Sequence, residues 1–298
     1  MARTTDRSIT FAASRSPTLP KPAPRQYFLI DGHYMAYLTA GNPANPPVIL
    51  IHGWLCHAEV WKQTIAELQT THYCIAVDLL GLSVSDKPAS ADYSVPAHAR
   101  RILALIDSLG IKKFTLIGHS LGGQISQYLA AVLVPDRVTT LIDVAGVTTG
   151  KLSLYTERFI VPRMRLARFN PWMWTINKNL VRWFRSYARL EFSAWFYNVH
   201  TVPYDVWALD REMAMDSTMH ISACRIGDGI HALDLAPYLG GIRARTLVIF
   251  GVNDGIVPPD QGQVVKDHVK DCQLVMIDQC GHFPMYEKPE LYLKAVFD

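Results

Sequence analysis

The 298 residues are 49% hydrophobic and 18% charged, with a formal net charge of +3. That balance suits a globular protein with a sizeable core, built as one large α/β domain or two small ones, and so mild a charge predicts no nucleic-acid partner. Five scattered cysteines (Cys56, Cys74, Cys224, Cys272, Cys280), odd in number and without C-x-x-C spacing, read as reduced thiols of a cytoplasmic protein, and no apolar run nears the roughly 18 residues of a membrane span.

Residues 1–26 are rich in Ser, Thr, Pro and Arg with Asp6 as their one acid, which predicts a flexible tail; an organellar transit peptide has a similar composition. Tyr27–Ile30 and Tyr34–Leu38 flank Asp31-Gly32, a hairpin signal. Short apolar strands then alternate with helical segments. The strands are Val48–Ile51, Cys74–Val77, Phe114–Ile117, Val138–Val144, Thr246–Phe250 and Leu274–Ile277, and the helices include Val60–Gln69, Ala97–Leu109 and Gln124–Val134. Continuous apolar strands between amphipathic helices predict an α/β fold with a mostly parallel, doubly wound sheet whose chemistry gathers at the strands' carboxyl ends.

The rhythm breaks after the sixth strand. Roughly a hundred residues of helical pattern precede the next strand, far beyond a normal crossover. They predict a helical cap over 148–232, inserted into a core of 27–147 and 233–298.

Gly118-His119-Ser120-Leu121-Gly122-Gly123 lies between a strand and a helix, the context in which G-x-S-x-G holds a nucleophilic hydroxyl at a sharp turn. A serine needs a base, an acid to orient that base, and donors for the oxyanion. His282 in Gln279–Pro284 is the candidate base and Asp254 in Gly251–Pro258 the candidate acid, each just past a strand and in the chain order Ser, Asp, His. Asp143, inside an apolar run, is the reserve acid. The backbone N–H groups of Trp54 and Leu121 are the candidate oxyanion donors. Gly53 would let the backbone approach the substrate, and His119, beside the nucleophile, would shape the elbow at the substrate site. His52 reads as a structural hydrogen bonder. No His/Asp cluster has metal-ligand spacing, and the chemistry requires no cofactor.

From about Tyr27 to Phe297 the chain resembles the α/β-hydrolase fold superfamily, in its serine esterase and monoacylglycerol-lipase-like branch with a cap. The matching motifs are His52-Gly53, Asp78–Asp86, Gly118–Gly123, Gly251–Pro258 and Cys280–Pro284, and Trp61 matches the tryptophan usual in the helix after the oxyanion loop. The resemblance implies that the Asp78–Asp86 loop is architectural and borders the site. Related dehalogenases and epoxide hydrolases carry aspartate at the nucleophile position, where this chain has Ser120.

The segment 150–200 holds nine basic residues against Glu157 and Glu191, so it is +7 and the remainder about −4. Aromatic residues are interleaved, and on a helix Leu180, Trp183, Phe184 and Tyr187 share one face. Two readings fit: a cap helix whose aromatic face covers the site, or an interfacial helix in peripheral contact with anionic lipid. Both favour a small-molecule ester with an apolar acyl or aryl group. Rival readings are a carbon–carbon bond hydrolase of vinylogous diketones, against which Trp54-Leu55 stands where small residues are usual, and a small-ligand receptor.

Overall fold

Val48-Ile-Leu-Ile51 has no polar side, so a strand made from it needs cover on both faces, and it is buried on both. The computed structural model describes residues 24–203 and 216–297. Among them, eight strands form one sheet: β1 (Gln26–Ile30), β2 (His33–Ala40), β3 (Pro47–Ile51), β4 (Tyr73–Val77), β5 (Phe114–His119), β6 (Val138–Val144), β7 (Arg245–Gly251) and β8 (Cys272–Ile277). Their order is β1-β2-β4-β3-β5-β6-β7-β8. The β1–β2 and β2–β4 pairings are antiparallel and the other five are parallel. Asp31 (φ 54°) and Gly32 (φ 76°) turn the β1–β2 hairpin in the left-handed conformation that D-G tolerates.

The expected α/β architecture is therefore present. From β3 the chain steps outward to β4, returns to β5 on the other side, and continues to β8. That reversal leaves a crevice at the carboxyl ends of β3 and β5, where doubly wound folds hold ligands. Helices α1 (Lys62–Leu68), α2 (Val95–Ser108) and α3 (Leu121–Tyr128) link the first parallel strands. Ser94 caps α2, and Val95, Ile102, Leu105 and Ile106 form its buried stripe.

Helix α3 starts three residues before the expected Gln124. Gly122 and Gly123 form the first turn of the helix, where a bare backbone lets α3 press onto the sheet. A Cβ on Gly122 would collide with the Ile51 carbonyl oxygen.

Between β6 and β7 lie α4 (Val161–Ala167), α5 (Pro171–Trp183), α6 (Arg185–Glu191) and α7 (His220–His231). Helix α8 (Asp260–His268) then joins β7 to β8, and α9 (Pro284–Glu287) and α10 (Pro289–Phe297) follow the last strand. The two stems of the 148–232 segment meet: the Leu235 amide donates to the Thr148 carbonyl at 2.8 Å. The Gln261 side chain accepts from the Thr148 and Thr149 amides and donates to the Lys151 carbonyl. Leu180, Trp183, Phe184 and Tyr187 do not share one helix. The helix ends at Trp183, Phe184 is extended (φ −119°, ψ 99°), and α6 restarts, so Leu180 and Tyr187 turn inward while Trp183 and Phe184 face solvent.

Most of the expected tail, 1–23, lies outside the described residues. Its last members do not behave as a tail: Gln26 opens β1, and Arg25 pairs with buried Asp78 at 2.6 Å and with Glu59 at 3.2 Å. Among the described residues no helix is long and apolar enough to cross a membrane.

Candidate active site

Ser120 stands between the end of β5 and the start of α3 with φ 56° and ψ −117°, a conformation that side-chain-bearing residues rarely adopt. Neighbouring strand ends hold it there. Its amide donates to the Val144 carbonyl at 2.9 Å, and its carbonyl accepts from the Gln124 and Val147 amides. The side chain is displaced from both strand and helix and lines a small cavity of ≈ 20 Å³.

His282, in the loop after β8, lines the same cavity. Its Nδ1 lies 2.7 Å from Asp254 Oδ2, and both side chains are buried. Asp254 Oδ1 accepts from the amides of Ile256 (2.8 Å) and Val257 (3.0 Å), which fixes the carboxyl group in its own loop after β7. With Oδ2 as acceptor, the ring proton belongs on Nδ1, and Nε2 keeps its lone pair. The arrangement can therefore remove a proton from a hydroxyl in the cavity.

Asp143, the reserve acid, is placed elsewhere. Its Oδ2 accepts from Gln127 Nε2 at 2.9 Å, while Oδ1 is buried without a hydrogen-bond partner. Burial pushes its carboxyl up to about 7.

Trp54 follows the end of β3 and shares the cavity wall. Its indole N–H donates to the Ala223 carbonyl of α7 at 2.8 Å, which pins the loop to the helical segment above. Its backbone amide has no partner among the described hydrogen bonds. The Leu121 amide, at the first position of α3, has no acceptor within its helix. Both donors are free for an oxyanion.

Gly53 and His119, expected at the substrate site, pack against the turn that carries Ser120. Gly53 faces the elbow: a Cβ there would stand 2.9 Å from Ser120 Cβ and 3.0 Å from His119 Nδ1, so it is small in order to seat the β3 loop on β5. His119 is fully buried beneath the elbow, 4.7 Å from the His282 ring and 4.6 Å from Phe283. Its Nε2 donates to the His282 carbonyl at 2.8 Å, since a carbonyl can only accept. Burial, and then the neighbouring His282, hold it well below the usual histidine value, so it is a neutral support for the His282 loop.

His52 bridges two loops, with Nδ1 donating to the Gly53 carbonyl (2.7 Å) and Nε2 accepting from the Leu79 amide (3.0 Å). Burial lowers its pKa to about 4. Leu79 belongs to the Asp78–Asp86 loop. There burial opposes ionisation of Asp78, but the Arg25 charge and hydrogen bond outweigh it and its pKa is lowered.

Sequence reasoning missed Trp195 and Glu287. The Trp195 carbonyl accepts from the His282 amide at 2.8 Å, and its ring stacks on Phe283. Glu287 accepts from the amides of Gly281 and Asn198, joining the His282 loop to the helical segment. Neither carries a motif; both contacts cross long stretches of chain.

Leu55, Ile160 and Trp195 line the small cavity and also a second one of ≈ 280 Å³, which lies among α4, α5 and α6. Its walls are apolar (Met164, Trp174, Leu180, Phe192) except where Arg163 pairs with Glu191 and Tyr187 Oη donates to Asn177 Oδ1 at 2.5 Å. Among the described residues no group of three or more His, Cys, Asp or Glu could hold a metal ion.

Residues 46–289 match the alpha/beta hydrolase fold family. Lipase 1 of Psychrobacter immobilis is 27% identical over 264 residues, covering 87% of this chain and 78% of the lipase. A membrane phospholipase A described as a bacterial virulence factor superposes with a TM-score of 0.73 at 25% identity, covering 92% of this chain and 86% of its own. A 2-hydroxy-6-oxo-6-phenylhexa-2,4-dienoate hydrolase from Rhodococcus sp. strain RHA1 has a TM-score of 0.74 at 23% identity, covering 92% and 96%. With most of its length matched, the chain belongs to the alpha/beta hydrolase fold family.

Proposed function

We propose that this protein is a serine carboxylic-ester hydrolase that works through an acyl-enzyme, with 148–232 as its cap. One observation carries the reading: a buried His282–Asp254 pair at 2.7 Å shares a cavity wall with a serine held at positive φ. Ser120 Oγ attacks the ester carbonyl carbon as its proton passes to His282 Nε2, and the N–H groups of Trp54 and Leu121 donate to the resulting oxyanion. Collapse of the tetrahedral intermediate breaks the bond to the alcohol oxygen, which takes the proton from His282. Water then gives a proton to His282 as it attacks the acyl carbon, and collapse of the second tetrahedral intermediate breaks the bond to Ser120 Oγ, which takes that proton back from His282 as the acid leaves. Asp254 keeps His282 in the tautomer the cycle needs.

The likeness to a bacterial lipase supports an ester substrate. The apolar cavity that shares Leu55, Ile160 and Trp195 with the wall of the small one suits an apolar acyl or aryl group, with monoacylglycerols or medium-chain esters as the expected class.

The test is initial rates on p-nitrophenyl esters from acetate to palmitate, wild type beside Ser120→Ala. Expected is turnover that falls by at least about four orders of magnitude in the variant, with a chain-length optimum set by the larger cavity. Absence of turnover on every ester by folded wild type overturns the reading. Cleavage of a vinylogous diketone in its place would shift the reaction to carbon–carbon bonds.

A further inference from the structure

The outward faces of α4 and α5 are greasier than solvent-facing helices should be. Eleven of the twenty large apolar side chains that stand exposed among the described residues fall between 154 and 197. Tyr155, Phe159, Leu166 and Phe169 return to one side of the helical stretch leading into and through α4, and are 44% to 78% exposed. On α5, Trp172, Ile176 and Trp183 form a similar stripe, opposite buried Trp174 and Val181. Neither stripe is needed to bury the helix, because each helix has a separate inward face.

The same segment carries the chain's charge surplus. It is +7 against a total of +3, and Arg158, Arg165 and Arg182 are exposed beside the stripes. Contiguous exposed apolar surface marks an interaction site. Aromatic residues among arginines specify a surface with anionic groups outside and an apolar interior beneath. A two-fold dimer through this face would oppose +7 with +7. We infer that the outward face of α4 and α5 docks on an anionic lipid bilayer.

An independent observation gives the docking a direction. Trp172 and Ile176 are more than half exposed and also line the ≈ 280 Å³ cavity, so that cavity opens through the docking face. On its inner side it shares Leu55, Ile160 and Trp195 with the wall of the Ser120 cavity. A lipid chain entering from the bilayer would lie against the residues that also wall the Ser120 cavity; this part rests on the proposed esterase, whereas the docking does not.

The test uses the full-length Ser120→Ala protein, so that binding is read without hydrolysis. It is sedimented with phosphatidylcholine vesicles, with and without about a quarter phosphatidylglycerol. Binding to the anionic vesicles is expected, weakened about ten-fold or more by raising the salt to about 0.5 M. A triple variant, Phe159→Ser, Phe169→Ser and Trp183→Ser, changes side chains that stand in water, and circular dichroism melting checks its fold. It should lose vesicle binding, and with Ser120 intact it should keep hydrolysis of a short soluble ester within about two-fold, since none of the three lines either cavity. Failure of Ser120→Ala to bind anionic vesicles, equal binding to neutral vesicles, or unchanged binding by the triple variant overturns the inference. So does a wild-type dimer in sedimentation velocity that the triple variant disperses, since the face would then belong to a second copy.

Discussion

Two carboxyl groups close to the strand ends, Asp254 and Asp143, have different surroundings and should behave differently. Asp254 meets His282 and two amides, whereas Asp143 has one amide partner and one bare oxygen. An Asn at 254 presents an N–H or a poorer acceptor to Nδ1, so Asp254→Asn should lower kcat by about 10⁴ with little change in fold. Asp143→Asn should leave ester turnover within a few-fold. Its effect belongs to stability, and the sign follows from the raised pKa. The folded protein holds the Asp143 proton up to about pH 7, while an unfolded chain releases it near 4, so stability present at low pH is lost as pH rises to about 7. An amide mimics the protonated acid, so the Asn variant should gain on wild type in thermal midpoint between pH 5 and 8. The bound is about 4 kcal/mol, from about three units at about 1.4 kcal/mol each. Parallel pH profiles for the two proteins would contradict this.

At the scale of elements, the strands and the order Ser120, Asp254, His282 were legible because each depends on local pattern: apolar runs, G-x-S-x-G, and loops just past strands. The contacts that join loops were not. Trp195 to His282, Gln261 to the stems of the helical segment, and Arg25 to Asp78 each link distant parts of the chain through groups with no spacing signature. The break at Phe184 was also hidden, because neither Gly nor Pro marks it. The glycines at the start of α3 were visible as composition, but the start of the helix before Gln124 was not. Its packing yields a prediction: in Gly122→Ala the new methyl meets the Ile51 backbone, and neither side can move without shifting β3 or the elbow. Overpacking of this kind costs about 1–3 kcal/mol, and the shift it forces falls on Ser120 and Trp54 together. Urea unfolding and ester turnover should therefore both decline, turnover by more than about ten-fold. A variant as stable and active as wild type would show that α3 does not press on β3.

At the scale of the whole molecule, the fold keeps several imidazoles neutral in its interior. Burial lowers His52 to about 4 and His98 to about 3, the latter helped by Arg101, and His119 lies well below its ordinary value. An unfolded chain would protonate all three near pH 6.5. Folded pKa values below unfolded ones mean stability that is complete above about pH 6.5 and is lost as pH falls toward the folded values. Three protons correspond to about 4 kcal/mol per pH unit. Asp143 acts in the opposite sense, because over about pH 4 to 7 the folded state holds its proton, which removes about 1.4 of that slope. The net slope is about 2.7 kcal/mol per unit below pH 6, so urea unfolding should show about 4 kcal/mol lost between pH 6 and 4.5. Against a total stability of about 5–15 kcal/mol, that is from about a quarter to most of what holds the fold. His98 allows the cause to be isolated. Both its ring nitrogens are buried without partners, and it lines neither cavity described above. His98→Leu removes two unsatisfied polar atoms, so it should hold its stability at pH 7.5 and flatten the acid slope by about 1.4 kcal/mol per unit. An unchanged slope in that variant would mean that proton uptake on acid unfolding occurs at other groups.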